Sequence, residues 1–246
     1  MEVASTRVSA TTNRAPRTRL RVATWNVHGA IGGDGAYAPS RIASVVTELD
    51  ADVIALQEVG SRNTHDDLLA HLAASTGYCI INGPLVERDG HSFGNAVLSR
   101  LPVREVAHLD LAVDDHEPRG AIDLVVEAGR ATTVRVLATH LGLRPGERRE
   151  QVRRLLAAVE GAPPGPTVLM GDVNEWYLWG RPLRWLHAHF RERPAAPLTF
   201  PARRPVLALD RIWVAPRGSL RALARHASPL ARTASDHLPL VAGLLV

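Results

Sequence analysis

The sequence predicts an α/β protein in which two β-sheets pack face to face and helices cover their outer faces. Apolar strand-like runs alternate with amphipathic helical segments at the start of the chain. Strands then follow one another across short turns, which is typical of antiparallel pairing. Helices and strands continue to the end of the 246 residues without a linker, so we expect one domain.

The composition fits a packed soluble domain. Hydrophobic residues make up 46% of the chain and charged residues 22%, which is too apolar for a disordered protein. The single cysteine, Cys79, excludes an intrachain disulfide and a cysteine-based zinc site, and we expect it to be buried. The sequence has no signal-peptide pattern, no apolar run of about 18 residues and no partner-binding motif, so we expect a cytoplasmic monomer.

The domain is expected to span residues 19–246. Residues 1–18 are polar and aperiodic, which predicts a disordered tail. The sequence LRVATWNV predicts a first strand at 20–27, and it leads into a glycine-rich loop. Ser40 is expected to cap the first helix, in which apolar residues recur at helical spacing.

The next elements continue the alternation of strands and helices. A second strand is predicted at 52–59. Thr64 is expected to cap the second helix, and Gly77 is expected to end it before a strand at 78–81. The later strands are predicted at 93–99, 103–109, 121–128, 132–140, 167–173, 209–214, 220–226 and 238–245. The later helices are predicted at 147–159 and 181–190.

Side chains that can bind a metal ion or a phosphate lie at the ends of five of these strands. They are Asn26, Glu58, His140, the pair Asp172 and Asn174, and the pair Asp236 and His237. Any one of them has an ordinary explanation as a turn residue, a solvated strand end or a helix cap. Five strand ends that all carry metal-binding or phosphate-binding groups instead indicate a site. Carboxylates such as Glu58 and Asp236 favour Mg²⁺ or Mn²⁺ over a thiophilic metal.

The basic charge of the chain has two interpretations. A net charge of +4 and a pI of about 10.1 suit a phosphate-bearing or polyanionic partner. However, all 29 basic residues are arginine, which is also what codon bias would produce. No arginine-rich run alternates with aromatic residues as single-strand binders require. The charge alone therefore does not indicate a nucleic-acid partner.

The motifs from Leu20 to Val246 resemble those of the endonuclease/exonuclease/phosphatase superfamily, in the family's order. They are TWNVHG (24–29), LQEV (56–59), GNAVLSR (94–100), EPRG (117–120), THL (139–141), GDVN (171–174), TFP (199–201), LDRIWV (209–214) and SDHLPL (235–240). The resemblance implies a four-layer α/β/β/α sandwich of the DNase I type. It also implies a hydrolase that acts on phosphoric esters with Mg²⁺ or Mn²⁺.

The resemblance assigns roles to the polar strand ends. Glu58 would bind the metal, with Asn26 and Asp236 completing that side. The carboxylate of Asp172 would orient or deprotonate the attacking water, and Asn174 would hold a phosphoryl oxygen.

The remaining roles concern the histidines and the cleft. His237 would donate to the phosphate while Asp210 fixes its tautomer, and His140 would be a second cationic or hydrogen-bonding contact. Asn95 and Arg119 would lie near the substrate. The site is thus expected to comprise Asn26, Glu58, Asn95, Arg119, His140, Asp172, Asn174, Asp210, Asp236 and His237.

Two departures from the family pattern bear on these roles. His28 stands where some branches carry Asp, and it could equally be a loop residue. Arg211 follows Asp210 where relatives have an aromatic residue or histidine. Because neighbouring strand residues face opposite ways, we expect Arg211 to leave the role of Asp210 intact.

Three functions remain open at this point. The favoured one is a phosphodiesterase or phosphatase for a small molecule or lipid headgroup. His140 in place of the Asn of abasic-site endonucleases, and the lack of an assignable catalytic tyrosine, support it. The alternative is a DNA or RNA nuclease, which the basic pI would suit. A non-catalytic binding protein is a remote third, because Glu58, Asp236 and His237 are all present. We do not expect a membrane surface as a partner except through a lipid substrate.

Overall fold

The computed structural model describes residues 17–61, 67–88, 91–113, 115–129 and 132–246. The strands of this part are β1 (Arg19–Asn26), β2 (Val53–Ser61), β3 (Cys79–Arg88), β4 (His91–Ser99), β5 (Val103–Asp110), β6 (Gly120–Gly129), β7 (Thr132–His140), β8 (Thr167–Asp172), β9 (Asp210–Ala215), β10 (Leu220–Arg225) and β11 (Leu240–Leu245). The helices are α1 (Pro39–Leu49), α2 (Leu68–Thr76), α3 (Pro145–Glu160), α4 (Arg181–Phe190) and α5 (Ala231–Ala234). A 3-10 turn spans His28–Ala30.

The strands form two mixed sheets. The first has the order β10-β11-β1-β2-β4-β3, and the second runs β5-β6-β7-β8-β9. Two pairs are parallel, β1 with β2 and β7 with β8. Each of these pairs is joined across a helix, as parallel strands require. Of the strands that the sequence predicts to pair antiparallel in succession, β5 pairs with β6 and β6 with β7 in this way. The prediction is wrong for β4 and β5, which follow one another across a short turn but lie in different sheets.

Three apolar layers hold four layers of structure together. Between the sheets, Val22, Val53 and Val97 of the first sheet pack against residues such as Val136 and Val168 of the second. The helices α1, α2 and α5 cover the outer face of the first sheet. The helices α3 and α4 cover the second. The predicted α/β/β/α sandwich is therefore confirmed.

Some predicted details are wrong or fall outside the described residues. Ser40 does not cap α1, which begins at Pro39 after Ala38 without a side-chain cap. The fixed φ and missing N–H of a proline in the first turn make a capping side chain less necessary there. Thr64 lies outside the described residues, and the cap of α2 is Asp67, whose carboxylate accepts from Leu69 N at 2.8 Å.

The prediction that Cys79 is buried is also wrong. Its side chain is exposed on β3, which forms the edge of the first sheet. The predicted tail lies mostly outside the described residues, which begin at residue 17. Near its end, Thr18 exchanges two backbone hydrogen bonds with Val246, at 2.7 and 3.0 Å. Among the described helices, none combines the length and apolar character needed to cross a bilayer.

Gly171 makes the contact between β7 and β8 possible just before Asp172. Its φ is +154°, and a Cβ at this position would lie 1.9 Å from the carbonyl oxygen of Thr139. Since this oxygen belongs to the paired strand, it cannot move away without breaking the sheet. Only glycine fits this position.

We expect Gly171→Ala to lower the free energy of unfolding by roughly 2 to 4 kcal/mol, because it combines backbone strain with a clash against a strand. Denaturant unfolding measures this change. Gly165→Ala is the control, because a Cβ there meets nothing within 4 Å. The control should change stability by no more than about 0.5 kcal/mol. Equal effects of the two substitutions would contradict the proposed constraint.

Candidate active site

The register of the two sheets brings four of the predicted site residues to one face. Asn26, His140, Asp172 and Asp210 end or begin strands, and Asp172 is paired with both His140 and Asp210 across the second sheet. At alternate positions their strands place residues between the sheets that are apolar, except for the buried Thr24 before Asn26. The amide of Asn26 donates to Asp172 Oδ2 at 3.1 Å and so joins the first sheet to the second. The site therefore lies where the apolar layer between the sheets ends.

Glu58 reaches the same place through an irregularity in β2. Ile54 and Leu56 point to the helix-covered face, and simple alternation would send Glu58 there as well. Instead, the pairing of β2 with β4 shifts between Leu56 and Val59, and Glu58 has a left-handed φ of +53°. Its Oε1 accepts a hydrogen bond from Asn26 Nδ2 at 2.8 Å. The carboxylate of Glu58 remains one-third exposed to the cleft.

Asp172 is a buried carboxylate held from two sides. Its Oδ1 accepts from the backbone N–H of Asn174 at 3.0 Å, and its Oδ2 accepts from Asn26. Burial and the neighbouring charge of Asp210 raise the pKa of Asp172 to about 6, although His237 and the two hydrogen bonds oppose the shift. This carboxylate is therefore a stronger base than an exposed aspartate.

His237 and Asp210 form a buried ion pair next to Asp172. His237 Nδ1 donates to Asp210 Oδ2 at 2.9 Å, which leaves Nε2 facing Asp172 Oδ2 at 3.7 Å. Burial lowers the pKa of His237, but the charge and hydrogen bond of Asp210, with the charges of Asp172 and Asp236, outweigh it and raise the pKa to about 10. The imidazole is thus a cation with its free N–H directed into the site.

His140 has the opposite charge preference. Two donors face its ring, Arg119 Nη1 at 3.2 Å from Nδ1 and Asn174 Nδ2 at 3.1 Å from Nε2. Burial and the charges of Arg119 and His237 hold the pKa of His140 well below its usual value. Of the two roles that the sequence left open, these surroundings favour a neutral hydrogen-bonding contact over a cationic one.

The remaining predicted residues lie around the cleft. Asn95 and Arg119 line it, and the amide of Asn95 donates to Gly120 O at 3.1 Å. The carboxylate of Asp236 is 38% exposed and lies 4.0 Å from His28 Nδ1. Its described contacts are with Ser235 and His28 rather than with Glu58.

The side chains of Asp210 and Arg211 lie in different surroundings, as alternation along β9 predicts. Asp210 bonds to His237 in the site, whereas Arg211 lines a separate pocket beside Leu178 and Trp179. Arg211, which departs from the family pattern, therefore does not disturb the hydrogen bond between His237 and Asp210.

The cleft above these residues has a volume of about 890 Å³. Its apolar walls include Phe93, Leu143, Trp176, Phe200 and Leu207. The ring of Phe200 packs against His237, with 4.9 Å between the ring centroids. A substrate in this cleft would place its phosphate at the polar floor and an apolar group against the walls.

Several supporting residues were not predicted from the sequence. Trp25 Nε1 donates to His237 O at 2.9 Å, and Ser235 Oγ donates to Asn26 O at 2.7 Å. Beneath the loop after Asn174, the buried Arg148 pairs with Glu175 at 3.3 Å. The position of Glu175 directly after the GDVN motif was the available signal for this pair.

Two groupings of metal-binding side chains meet at the site. Asp172, Asp210 and His237 place their ligand atoms within 4.8 Å of one another. In this group, however, Asp210 already accepts a hydrogen bond from the cationic His237, and a protonated imidazole is not a ligand. The partly exposed oxygens of Glu58, beside Asn26, are the better position for a hard cation.

Comparison with known proteins agrees with this geometry. The chain is 32% identical to the uncharacterized protein YbhP of Escherichia coli (strain K12), across 91% of this chain and 95% of that protein. The crystal structure of an endonuclease/exonuclease/phosphatase from Beutenbergia cavernae superposes with a TM-score of 0.75 and 27% identity, covering 94% of this chain and 72% of that one. A member from Bacteroides vulgatus gives a TM-score of 0.75 at 20% identity, covering 92% and 98%.

The model of the Endonuclease/Exonuclease/phosphatase family matches residues 23–237, which include every predicted site residue. The match begins within β1 and ends at His237, so it spans both sheets and the cleft between them. The chain belongs to the endonuclease/exonuclease/phosphatase family, whose members hydrolyse phosphoric ester bonds.

Proposed function

We propose that this protein hydrolyses a phosphodiester or phosphomonoester of a small molecule or lipid headgroup with the help of a divalent cation. The observation that carries the proposal is the close approach of the side chains of Asp172 and His237. A carboxylate with a raised pKa and an imidazolium lie 3.7 Å apart on the floor of one cleft. Such a pair supplies a base for water and a proton donor for a phosphoryl oxygen.

The residues divide the chemistry between them. Asp172 accepts the proton of the attacking water, and its fixed hydrogen bonds from Asn26 and Asn174 aim the free lone pairs into the cleft. His237 donates a hydrogen bond through Nε2 to a phosphoryl oxygen, and Asp210 holds it in this orientation. As the water oxygen bonds to phosphorus, the ester P–O bond breaks and the leaving oxygen takes a proton from solvent. Arg119, whose Nη1 contacts His140 Nδ1, lines the same cleft and donates hydrogen bonds as negative charge develops on the phosphate.

The site suits a divalent cation of the magnesium type. Members of the family generally use divalent metals. Glu58 offers hard carboxylate oxygens next to the basic Asp172 and is oriented by the amide N–H of Asn26, and Cys79, the only thiol, lies on the edge strand β3. When bound, Mg²⁺ or Mn²⁺ would neutralise phosphoryl charge and polarise the ester. Glu58 and Asn26 would hold it, with Asp236 on the same side of the cleft.

The charge of the cleft favours a small substrate over a nucleic acid. Among the described lining residues, Arg119 is the one arginine, and the rim also carries the acidic Asp110 and Glu117. A duplex that follows this rim would meet negative charge, whereas nucleases line their grooves with cations. The apolar walls suit an aromatic or acyl group attached to the phosphate. The basic pI favours the nuclease alternative, but the arginines that cause it are not concentrated at this cleft.

Glu58→Gln should lower kcat/KM by more than about a hundredfold at fixed Mn²⁺, because the amide keeps the shape but loses the charge that binds the cation. The same substitution should abolish the rise in melting temperature that Mn²⁺ gives to the wild type. Glu127→Gln is the matched control, since its carboxylate pairs with Arg104 at the far end of β6. Full turnover in excess chelator would refute the role of the cation.

The His237–Asp210 pair should make stability depend on pH in the metal-free protein. Because the folded-state pKa of His237 is raised to about 10, its contribution is complete below its ordinary value of 6.5 and is lost as the pH rises through about 10. The stability difference between wild type and His237→Gln should therefore shrink by a few kcal/mol from pH 6.5 to pH 10, at about 1.4 kcal/mol per pKa unit. Urea unfolding in excess chelator measures it.

Asp210→Asn should remove the same pH-dependent contribution, and the double variant should be hardly worse than His237→Gln alone. If the stability difference between wild type and His237→Gln were the same at pH 6.5 and at pH 10, His237 would not be held as a cation.

Substrate preference tests the proposed function itself. We expect a higher kcat/KM for a soluble phosphodiester that carries an aromatic or acyl group than for duplex or single-stranded DNA. The rate should change little between about 50 and about 200 mM salt, because one phosphate is recognised rather than many. Phe93→Ala should raise KM for that diester roughly tenfold and leave KM for a diester without an apolar group unchanged. Nucleic acid as the best substrate, with a steep salt dependence, would establish the nuclease alternative.

A further inference from the structure

The loop after Asn174 exposes four large apolar side chains in succession. Residues 176–179, here called the apolar loop, are Trp-Tyr-Leu-Trp, with exposed fractions of 39, 44, 63 and 73%. Leu143 is a further exposed apolar residue, and both Leu143 and Trp176 line the catalytic cleft. Single exposed apolar residues are common on proteins, but a contiguous group of this size marks an interaction surface.

The apolar loop is fixed in its exposed form. Glu175 Oε1 accepts from Tyr177 N at 3.1 Å, and Gly180 N donates to Tyr177 O at 2.7 Å. The buried guanidinium of Arg148 lies 5.2 Å from the ring of Trp176. The side chains therefore point outward from a hydrogen-bonded turn rather than from a collapsed segment.

The charges around the apolar loop are positive. Glu175, the acidic residue next to it, is buried and paired with Arg148. Arg144, beside Leu143, and Arg181, just after the loop, are exposed. A pocket of about 370 Å³ lies behind Leu178 and Trp179, and its charged lining residues are Arg184, Arg193 and Arg211, with His187 beside them. No carboxylate is among its described lining residues.

Arg211 gives this pocket a guanidinium with unsatisfied N–H donors, although the charges of Asp210 and Glu175 act on it. The residue is only 4% exposed, and its Nε and Nη2 have no hydrogen-bond partner among the described residues. Buried guanidinium groups are normally paired, and arginine matches phosphate in particular. The pocket therefore suits a negatively charged group that arrives next to the apolar loop.

We propose that the apolar loop inserts into the interface of a membrane that contains anionic phospholipids, and that the adjacent arginine pocket receives a lipid phosphate. Tryptophan and tyrosine are the residues that concentrate at the headgroup level of bilayers. Arginines around them add attraction to an anionic surface. A second copy of this chain is a poorer occupant, because it would bring the same arginines against each other.

Docking in this way would bring the mouth of the catalytic cleft to the lipid headgroups, since Leu143 and Trp176 belong to both surfaces. The docking does not require turnover, and it can be tested in a protein that is kept inactive by a chelator. Failure of the docking and failure of the proposed hydrolysis are thus separate results.

Co-sedimentation with vesicles tests the proposal, using phosphatidylcholine alone and phosphatidylcholine mixed with phosphatidylglycerol, in excess chelator. The wild type should bind the mixed vesicles, and Leu178→Ser/Trp179→Ser should bind them at least tenfold more weakly. Val106→Ser, which also replaces an exposed apolar residue by serine, at a 45% exposed position on β5, is the control and should bind like the wild type. Arg184→Gln/Arg193→Gln should weaken binding to the mixed vesicles and leave the weaker binding to phosphatidylcholine unchanged.

The loop variant must keep the wild-type melting temperature and its kcat/KM on a soluble phosphodiester, which shows that the fold and the cleft are intact. Brominated lipids should quench the fluorescence of the wild type more than that of Trp179→Phe. No binding to either vesicle, or equal binding of the loop variant, would overturn the proposal. Light scattering without vesicles tests whether the loop binds a second copy of the chain instead. If the wild type were a dimer and the loop variant a monomer, the proposal would be overturned in favour of a second copy.

Discussion

The layer between the two sheets is the constraint on which the site depends. Along β1, Val22 faces this layer and Asn26, four residues later, faces the cleft; along β8, Met170 is followed by Asp172. Each strand thus changes from apolar to polar at the same level, and the hydrogen bond from Asn26 to Asp172 joins the sheets there. Because packing fixes the register of every strand, the same packing fixes the separations between the polar groups of the site.

This constraint explains which parts of the site could be predicted from the sequence. A residue such as His140 or Asp172 ends an apolar strand, so its place in the pattern assigns it to the cleft, whereas the role of Asp210 followed from the family resemblance. Periodicity fails for Glu58, because a register shift and a left-handed φ turn it away from the face that alternation assigns. Its place near the end of a predicted strand identified Glu58 as a site residue, but alternation alone assigns it to the wrong face of the sheet. The exposure of Cys79 was missed for a related reason, since strand order, which decides the edges of a sheet, is not encoded in the local pattern.

The two buried histidines carry different charges although they lie in one cluster. His237 has Asp210 as a direct partner and remains a cation, whereas His140 faces the donors Arg119 and Asn174 and loses its proton. Desolvation disfavours the charged form of both, so the partner decides the outcome. The cluster therefore balances Asp172 and Asp210 with one buried histidine cation and Arg119, which limits the cost of burying four ionisable groups near each other.

The ion pair between Arg148 and Glu175 connects the catalytic floor to the apolar loop. Glu175 follows Asn174 directly, accepts from the backbone of Tyr177 and is held by a guanidinium that donates to Gly142 O and Leu143 O. One buried pair thus orients the residues after Asp172 and both exposed segments at the cleft mouth. A loop that served catalysis alone would gain nothing from exposing two tryptophans to water, because their burial would stabilise the fold. The same rigid attachment that positions Asn174 beside Asp172 therefore also holds the aromatic side chains outward, where they can contact an interface.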